Sequence, residues 1–249
     1  MILAQTLRVL LIALMLGGGV VAAAAGHFGL GILLHALIVG FLLAGTLNPS
    51  SRLFGPVQTE CGKGIWLTLD DGPDPTDTPA ILDLLDRRGA KATFFVIGEK
   101  AAKHPELIRE IRRRGHQLGN HSWSHPSNTF WCLGPVATCR EIMKCQRVLE
   151  EITGEAPAIF RAPVGHFNFF VHPVLKREGL KLIGWNSRGF DGGGYPFAEV
   201  SRRIRRTTRE GSIVLAHEAT PIALEVVADI LALAEKNGWK VAIPDASRE

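Results

Sequence analysis

Residues 67–74 read Leu-Thr-Leu-Asp-Asp-Gly-Pro-Asp, and both the fold and its chemistry start from this stretch. The apolar run Ile65–Leu69 predicts a short buried strand, which the Gly-Pro pair ends. Asp70 and Asp71 stand side by side at that end, where two like charges repel each other and cost stability unless something compensates them. A metal cation is one such compensation. The simpler alternative is a solvated turn, for which D-G-P-D is also a favourable sequence.

The chain beyond this stretch alternates short apolar runs with helical segments. Helical periodicity covers residues 79–88, 105–114, 137–152, 172–178, 197–210 and 222–236. Strand-like runs cover residues 65–69, 92–97, 116–119, 158–160, 180–185, 212–216 and 240–243. Such alternation predicts an α/β fold with a parallel sheet, and seven or eight repeats of the unit predict a distorted (β/α) barrel of the TIM type.

The polar residues suited to catalysis follow the ends of these predicted strands. They are Asp70 and Asp71 after the first strand, His121 and His125 after the third, Arg161 after the fourth, Asp191 after the fifth and His217 after the sixth. In parallel barrels the C-terminal ends of the strands meet at one rim. We therefore expect these side chains to converge on one site.

Two histidines and the paired aspartates together suggest a metal site. His121 and His125 are four residues apart, which places both imidazoles on one side of a helical turn. One carboxylate added to them gives a three-ligand site with open positions, which is the pattern of catalytic metals. The other carboxylate is then available as a base. An aspartyl-nucleophile phosphatase is a poor alternative, because it needs D-x-D and Gly72 occupies the third position.

Four motifs resemble those of one family. They are Thr68-Leu69-Asp70-Asp71-Gly72-Pro73, Gly115–His125, Arg161-Ala162-Pro163-Val164-Gly165 and Leu215-Ala216-His217. In this order and spacing they resemble the polysaccharide deacetylases, which form carbohydrate esterase family four and carry the NodB-homology domain. The resemblance covers about residues 60–245, so the apolar N-terminal part lies outside it.

The resemblance implies a metal centre with a base beside it. By its motif, Asp70 is expected to be the catalytic base and Arg161 the partner that orients it. Asp71, His121 and His125 are expected to hold a divalent metal, usually Zn²⁺, with Co²⁺, Mn²⁺ or Ni²⁺ as alternatives.

The resemblance also implies an acid and a substrate pocket. His217 is expected to be the general acid and Asp191 the aspartate that tunes it. Leu215 is expected to line the acyl-methyl pocket, and the N–H of Val164 to stabilise an oxyanion. This sequence departs from the family in having valine at 164 instead of an aromatic residue, and Gly192–Gly194 where a tryptophan often follows the tuning aspartate.

The N-terminal part of the sequence predicts a membrane anchor. No Asp, Glu, Lys or Arg occurs from Val9 to Ser51, and this stretch contains two apolar runs, Val9–Ala25 and Leu30–Leu47. Each run is long enough, at about 26 Å as a helix, to approach the thickness of the hydrocarbon core. We predict a helical hairpin. The alternative is a cleaved signal peptide ending near Ala22–Ala25, which leaves one spanning helix.

The charges that flank the hairpin indicate on which side of the membrane the catalytic domain lies. Arg8 and Arg52 flank the open end of the predicted hairpin, so the positive-inside rule favours a catalytic domain on the cytoplasmic face of a bacterial inner membrane. Cleavage of a signal peptide would instead place the domain outside. The four cysteines do not decide between the two sides, because an even number is compatible with either disulfides or free thiols.

These observations predict three segments: a membrane anchor at 1–50, a linker at 51–63 and a deacetylase domain at 64–249. The predicted activity is removal of an N-acetyl or N-formyl group from a lipid-linked amino sugar. The alternative substrate is a cell-wall or extracellular N-acetylglucosamine polymer such as peptidoglycan or a chitin-like oligosaccharide. Two further alternatives are an O-deacetylase and an inactive sugar-binding membrane module.

The basic character of the chain suggests contact with membrane lipid but not with nucleic acid. The sequence pI is about 9.0, and arginines crowd two helical segments, at 112–114 and 202–209. The simpler interpretation of these arginines is a solvated face, and the alternative is docking to anionic headgroups or a substrate phosphate. No nucleic-acid-binding motif accompanies them.

Overall fold

The computed structural model describes residues 17–22 and 24–244. The strands are β1 (Ile65–Gly72), β2 (Thr93–Val96), β3 (Gln117–Asn120), β4 (Ile159–Phe160), β5 (Lys181–Leu182), β6 (Ser187–Arg188) and β7 (Ser212–His217). The helices are α1 (Phe28–Leu47), α2 (Asp77–Arg87), α3 (Gly98–Lys103), α4 (Pro105–Arg113), α5 (Pro135–Thr153), α6 (Val171–Arg177), α7 (Phe197–Thr207) and α8 (Ala223–Lys236). Short 3₁₀ turns lie at Phe130–Cys132, Pro163–Gly165 and Asp191–Gly193.

The seven strands form one parallel sheet in the order β5-β4-β3-β2-β1-β7-β6. The two edge strands, β5 and β6, are joined only by residues 183–186. Such a short connection spans at most about 3.5 Å per residue, so the two edges must come together and the sheet must curl. This curled sheet with its helices confirms the predicted (β/α) barrel.

The central strand β1 separates two apolar layers. Successive side chains of a strand point to opposite faces. Ile65, Leu67 and Leu69 pack under the helices, whereas Trp66 lies inside the barrel with Phe95, Trp185 and Leu215. Asp70 shares the face of Trp66, and this explains why it is only 3% exposed although it lies near the strand's end.

One predicted strand is absent, and one observed strand was not predicted. Residues 240–243 form only a single bridge, between Val241 and Ile65, whereas Ser187–Arg188 forms β6. A two-residue strand is too short to leave a periodic pattern in the sequence.

The predicted linker at 51–63 packs on the barrel. Gln58 pairs with Ile183 beyond β5, and Glu60 pairs with Ser212 at the start of β7. Val57 is only 3% exposed. The segment that its composition predicts to be a linker therefore lies across the junction of the two sheet edges.

One described helix has the length and composition of a membrane span. The 20-residue helix α1 has a mean hydropathy of 2.3 over an 18-residue window, of which only 22% is buried. Most of the other apolar run, Val9–Ala25, lies outside the described residues. Its described part includes Gly19, which packs against the ring of His35 in α1. The hairpin remains a prediction.

Candidate active site

An irregularity at the end of β1 lets two neighbouring aspartates face the same site. The register between β1 and β2 shifts between Asp70 and Gly72, and Asp71 adopts a φ of 71°. In a regular strand the two carboxylates would point to opposite faces, whereas a bulge redirects the extra residue. Both carboxylates therefore reach the imidazole of His121, at 3.6 Å each.

Arg161 neutralises only one of the two carboxylates. Its Nη1 donates to Asp70 Oδ1 at 2.7 Å and to Thr68 Oγ1 at 2.8 Å. Its Nε and Nη2 donate to the carbonyls of Ile183 and Gly184. The guanidinium is fully buried, and a buried charge needs such pairing to be stable.

The second carboxylate joins the two histidines. Asp71 Oδ1 lies 3.2 Å from His125 Nε2 and 3.6 Å from His121 Nε2, and the two rings lie 4.7 Å apart. The structure therefore brings together the three predicted ligands.

These histidines lie on a loop, not on the helical turn that their spacing suggested. Ser122 and His125 have φ values of 67° and 51°, which no helix contains. His121 Nδ1 contacts the Arg161 carbonyl at 2.9 Å, and His125 Nδ1 contacts Ser127 Oγ at 3.1 Å. Such outer contacts fix the rings so that each Nε2 faces the cluster.

The protonation of the cluster suits a cation. Burial alone would raise the pKa of the Asp71 carboxyl, but the imidazoles of His121, His125 and His217 hold it well below its usual range. Burial, together with the neighbouring His121, lowers the pKa of His125 to about 4. At neutral pH the cluster thus offers an ionised carboxylate and a neutral imidazole, which are the forms that bind metals.

His217 lies beside this cluster on the neighbouring strand. It is the register partner of Asp70 in the pairing of β1 with β7. Its Nδ1 lies 2.9 Å from Asp191 Oδ1, and its backbone N–H donates to Asp191 Oδ2 at 2.7 Å. Burial alone would lower the pKa of His217, but Asp191, with added charge from Asp70 and Asp71, raises it to about 9.

The two predicted substrate residues flank the site. Leu215 is buried inside the barrel and pairs with Thr68. Val164 lies in the loop after Arg161 with a φ of 57°, a conformation that is strained for a β-branched residue. Within the described part of the chain, its N–H donates to no acceptor.

Glu218 contributes a buried carboxyl next to the site that no sequence motif indicated. Its N–H donates to the Asp70 carbonyl at 2.9 Å, and its carboxyl accepts from Thr78 Oγ1. Burial raises the pKa of this carboxyl to about 8, so it is mostly neutral at pH 7. A Cβ on Gly72 would lie 1.7 Å from Glu218 Oε2, so this contact requires glycine at that position. In the sequence, the only indication of this contact was that a glutamate directly follows His217.

The three-ligand cluster has the dimensions of a metal site. A tetrahedral ion with ligands at about 2.0–2.1 Å keeps its ligand atoms about 3.3 Å apart. The contacts of Asp71 Oδ1 with the histidines, at 3.2 Å and 3.6 Å, agree with this spacing. Asp71 Oδ1 is also buried without a hydrogen-bond partner among the described residues. Asp71, His121 and His125 therefore fit a divalent cation.

We expect His121→Gln and His125→Gln each to weaken zinc binding by more than about 100-fold, because loss of a direct ligand exceeds the effect of losing an outer contact. Isothermal titration of the metal-stripped protein in detergent measures this. His166→Gln is the matched control and should bind zinc normally, since His166 lies outside the cluster. Equal weakening in all three variants would contradict the assignment.

Comparison with known proteins finds relatives over much of the barrel. The sequence profile described as polysaccharide deacetylase matches residues 58–183. The chain is 35% identical over 161 residues to a peptidoglycan-N-acetylglucosamine deacetylase, PgdA, of Listeria monocytogenes, covering 65% of this chain and 34% of that protein. The matched region thus spans about a third of that relative's length.

A second relative and a solved structure extend the match. The chain is 33% identical over 164 residues to a chitooligosaccharide deacetylase of Azorhizobium caulinodans, covering 66% of this chain and 77% of that protein. The fold superimposes on a family 4 carbohydrate esterase from Streptomyces lividans in complex with acetate, with a TM-score of 0.68 and 27% identity over 76% of this chain and 96% of that one. Asp70, the three-ligand cluster and Arg161 all lie inside the region that the profile matches, and the chain belongs to the polysaccharide deacetylase family.

Proposed function

We propose that the chain is a membrane-anchored, metal-dependent hydrolase that removes the N-acetyl group from an amino sugar. One observation carries this proposal: the two adjacent carboxylates have different partners. Asp70 is held by Arg161, whereas Asp71 faces His121 and His125. A base and a metal ligand are thereby placed next to each other, which is the arrangement that metal-assisted hydrolysis of an amide uses.

In the proposed mechanism, residues of the chain itself supply the base and a hydrogen-bond donor for the oxyanion. A bound divalent cation supplies Lewis-acid polarisation of the acyl oxygen and acidifies water. Arg161 occupies Asp70 Oδ1 and leaves Oδ2 to accept the proton of the attacking water. The N–H of Val164 donates to the developing oxyanion.

His217 completes the reaction as the acid. Asp191 holds its Nδ1, so its Nε2 is left to donate a proton to the departing nitrogen. This donation is required because an amine is a poor leaving group as an anion. With a pKa of about 9, His217 carries that proton at neutral pH.

The proposed substrate is a saccharide containing N-acetylglucosamine. The relatives are named for peptidoglycan and for chitooligosaccharides, both of which contain this sugar. Leu215, buried beside Thr68, supports a pocket for the acetyl methyl group. The helix α1, apolar and largely exposed, supports the membrane anchor. It also favours a lipid-linked sugar as the substrate, with a glycan polymer as the alternative.

We expect Asp70→Asn to lower turnover by about 10²–10⁴-fold while zinc binding is retained, because the variant keeps an acceptor for Arg161 but loses the base. Acetate release from chitooligosaccharide and from membrane lipid extract measures turnover. Thermal unfolding checks the fold, since Arg161 loses its charged partner. Full turnover by the variant would exclude Asp70 as the base.

We expect Asp191→Asn to move the basic limb of the pH–rate profile to lower pH, because the pKa of His217 then falls towards its usual value of about 6.5. The raised pKa also stabilises the metal-free fold below about pH 6.5, and this contribution is lost as the pH rises through about 9. A bound cation opposes the effect of the Asp70 and Asp71 charges on the pKa of His217. The informative quantity is therefore the difference in the basic limb between the variant and the unaltered enzyme. An unchanged limb would contradict the role given to Asp191.

A further inference from the structure

The exposed large apolar side chains of the described barrel all lie on one rim. They are Val136, Val164, Phe169, Phe190, Tyr195 and Leu224, with exposed fractions between 41% and 71%. Each belongs to a segment that leaves the C-terminal end of a strand or to the first turn of the helix that follows. This is the rim that carries the metal cluster, so these apolar side chains lie on the same rim as the catalytic mouth, together with exposed acidic ones such as Glu99 and Glu225.

The opposite pole of the barrel is charged and internally paired. Helices of βα units run antiparallel to the strands, so their C-terminal ends lie away from the rim. The arginine-rich ends of α4 and α7 are of this kind. Arg114 pairs with Asp83 and Asp86, and Arg205 pairs with Asp229. Arg203 is an exception, because its guanidinium packs against the rings of Phe190 and Tyr195 at the rim. The paired arginines Arg114 and Arg205 lie away from the catalytic mouth.

The helix α1 meets the barrel on the apolar rim. The carbonyl of Thr46, in its last turn, accepts a hydrogen bond from Phe167 N–H at 3.2 Å. The ring of Phe54 lies 6.2 Å from that of Phe167 and 6.3 Å from that of Phe169. A Cβ on Gly165 would lie 2.6 Å from Pro49 Cβ, so the chain that leaves α1 contacts the residue next to Val164.

These contacts restrict where the barrel lies if α1 spans a membrane. The 20 residues of α1 correspond to about 30 Å, the thickness of the hydrocarbon core. The end of the helix then lies at the lipid–water interface, and the rim joined to it lies there too. Tyrosine is enriched at that interface, and apolar side chains such as Phe169 and Phe190 can bury at its acyl boundary.

We infer that the catalytic rim rests on the lipid bilayer, so that the site opens at the membrane surface and takes a saccharide carried on a lipid. This inference rests on the proposed deacetylase function and names the form of its substrate. Val136, Phe169 and Leu224 contact lipid, and the charged pole faces water.

Fluorescence quenching tests the orientation without relying on activity. The full chain, with Cys61, Cys132 and Cys139 replaced by serine, receives a single label at Phe169→Cys on the rim or at Arg206→Cys on the opposite pole. It is reconstituted in phosphatidylcholine–phosphatidylglycerol vesicles containing nitroxide-labelled lipid. We expect quenching of the rim label only. A rim label quenched no more than the pole label overturns the inference.

Turnover then tests the substrate form. A rim variant with Val136→Ser, Phe169→Ser and Leu224→Ser is compared with a pole variant with Arg87→Ser, Arg206→Ser and Lys236→Ser. We expect the rim variant to lose about tenfold or more in kcat/KM on an N-acetylglucosamine glycolipid in vesicles. It should hydrolyse soluble chitotriose as the unaltered chain does, and the pole variant should lose neither activity. Thermal unfolding confirms that both variants fold.

The other outcomes separate the two proposals. Equal loss on both substrates would make the rim a glycan-binding surface and overturn the lipid assignment. Hydrolysis of chitotriose without hydrolysis of the glycolipid by the unaltered chain would overturn it as well, while the deacetylase function would stand. Release of acetate from neither substrate by the zinc-loaded chain would overturn the proposed function itself.

Discussion

The buried ion pair between Arg161 and Asp70 is the interaction on which the site depends. Arg161 is fully buried, and its N–H groups connect β1 to the backbone that follows β5. An unpaired charge in that position would cost several kcal/mol, on the order of 3–5. The pair therefore fixes Asp70 and leaves Asp71 to the histidines. The different roles proposed for these two identical neighbouring side chains follow from this difference in partners.

Local backbone irregularity complements the ion pair. Asp71, Ser122, His125 and Val164 all have positive φ, and they lie in the strand end and loops that carry the candidate site. Non-glycine residues in this region cost of order 1–3 kcal/mol each and persist only where the surrounding structure imposes them. The regular barrel thus supplies rigid strand ends, and the strained loops direct the carboxylate, the imidazoles and an N–H towards one point.

The sequence predicts the barrel and which residues form the site. It predicts the geometry of the site less well. Alternating periodicity and the rule that strand ends meet at one rim are enough to bring Asp70, His121, Arg161 and His217 together. They do not reveal the bulge at Asp71, because a shift in register depends on the partner strand. The four-residue spacing of the two histidines suggested a helical turn. The chain instead forms a loop there, in which Ser122 has a positive φ. Glu218 was missed because its role arises from burial against β1.

The division between Asp70 and Asp71 is tested most directly by locating the metal. Anomalous X-ray diffraction from crystals soaked in zinc would show its position and its ligands. The expected result is one ion bound at about 2.0–2.2 Å by Asp71, His121 and His125, with Asp70 still paired to Arg161. An ion bound by Asp70 in place of Asp71, or no ion at this cluster, would contradict the assignment of base and ligand.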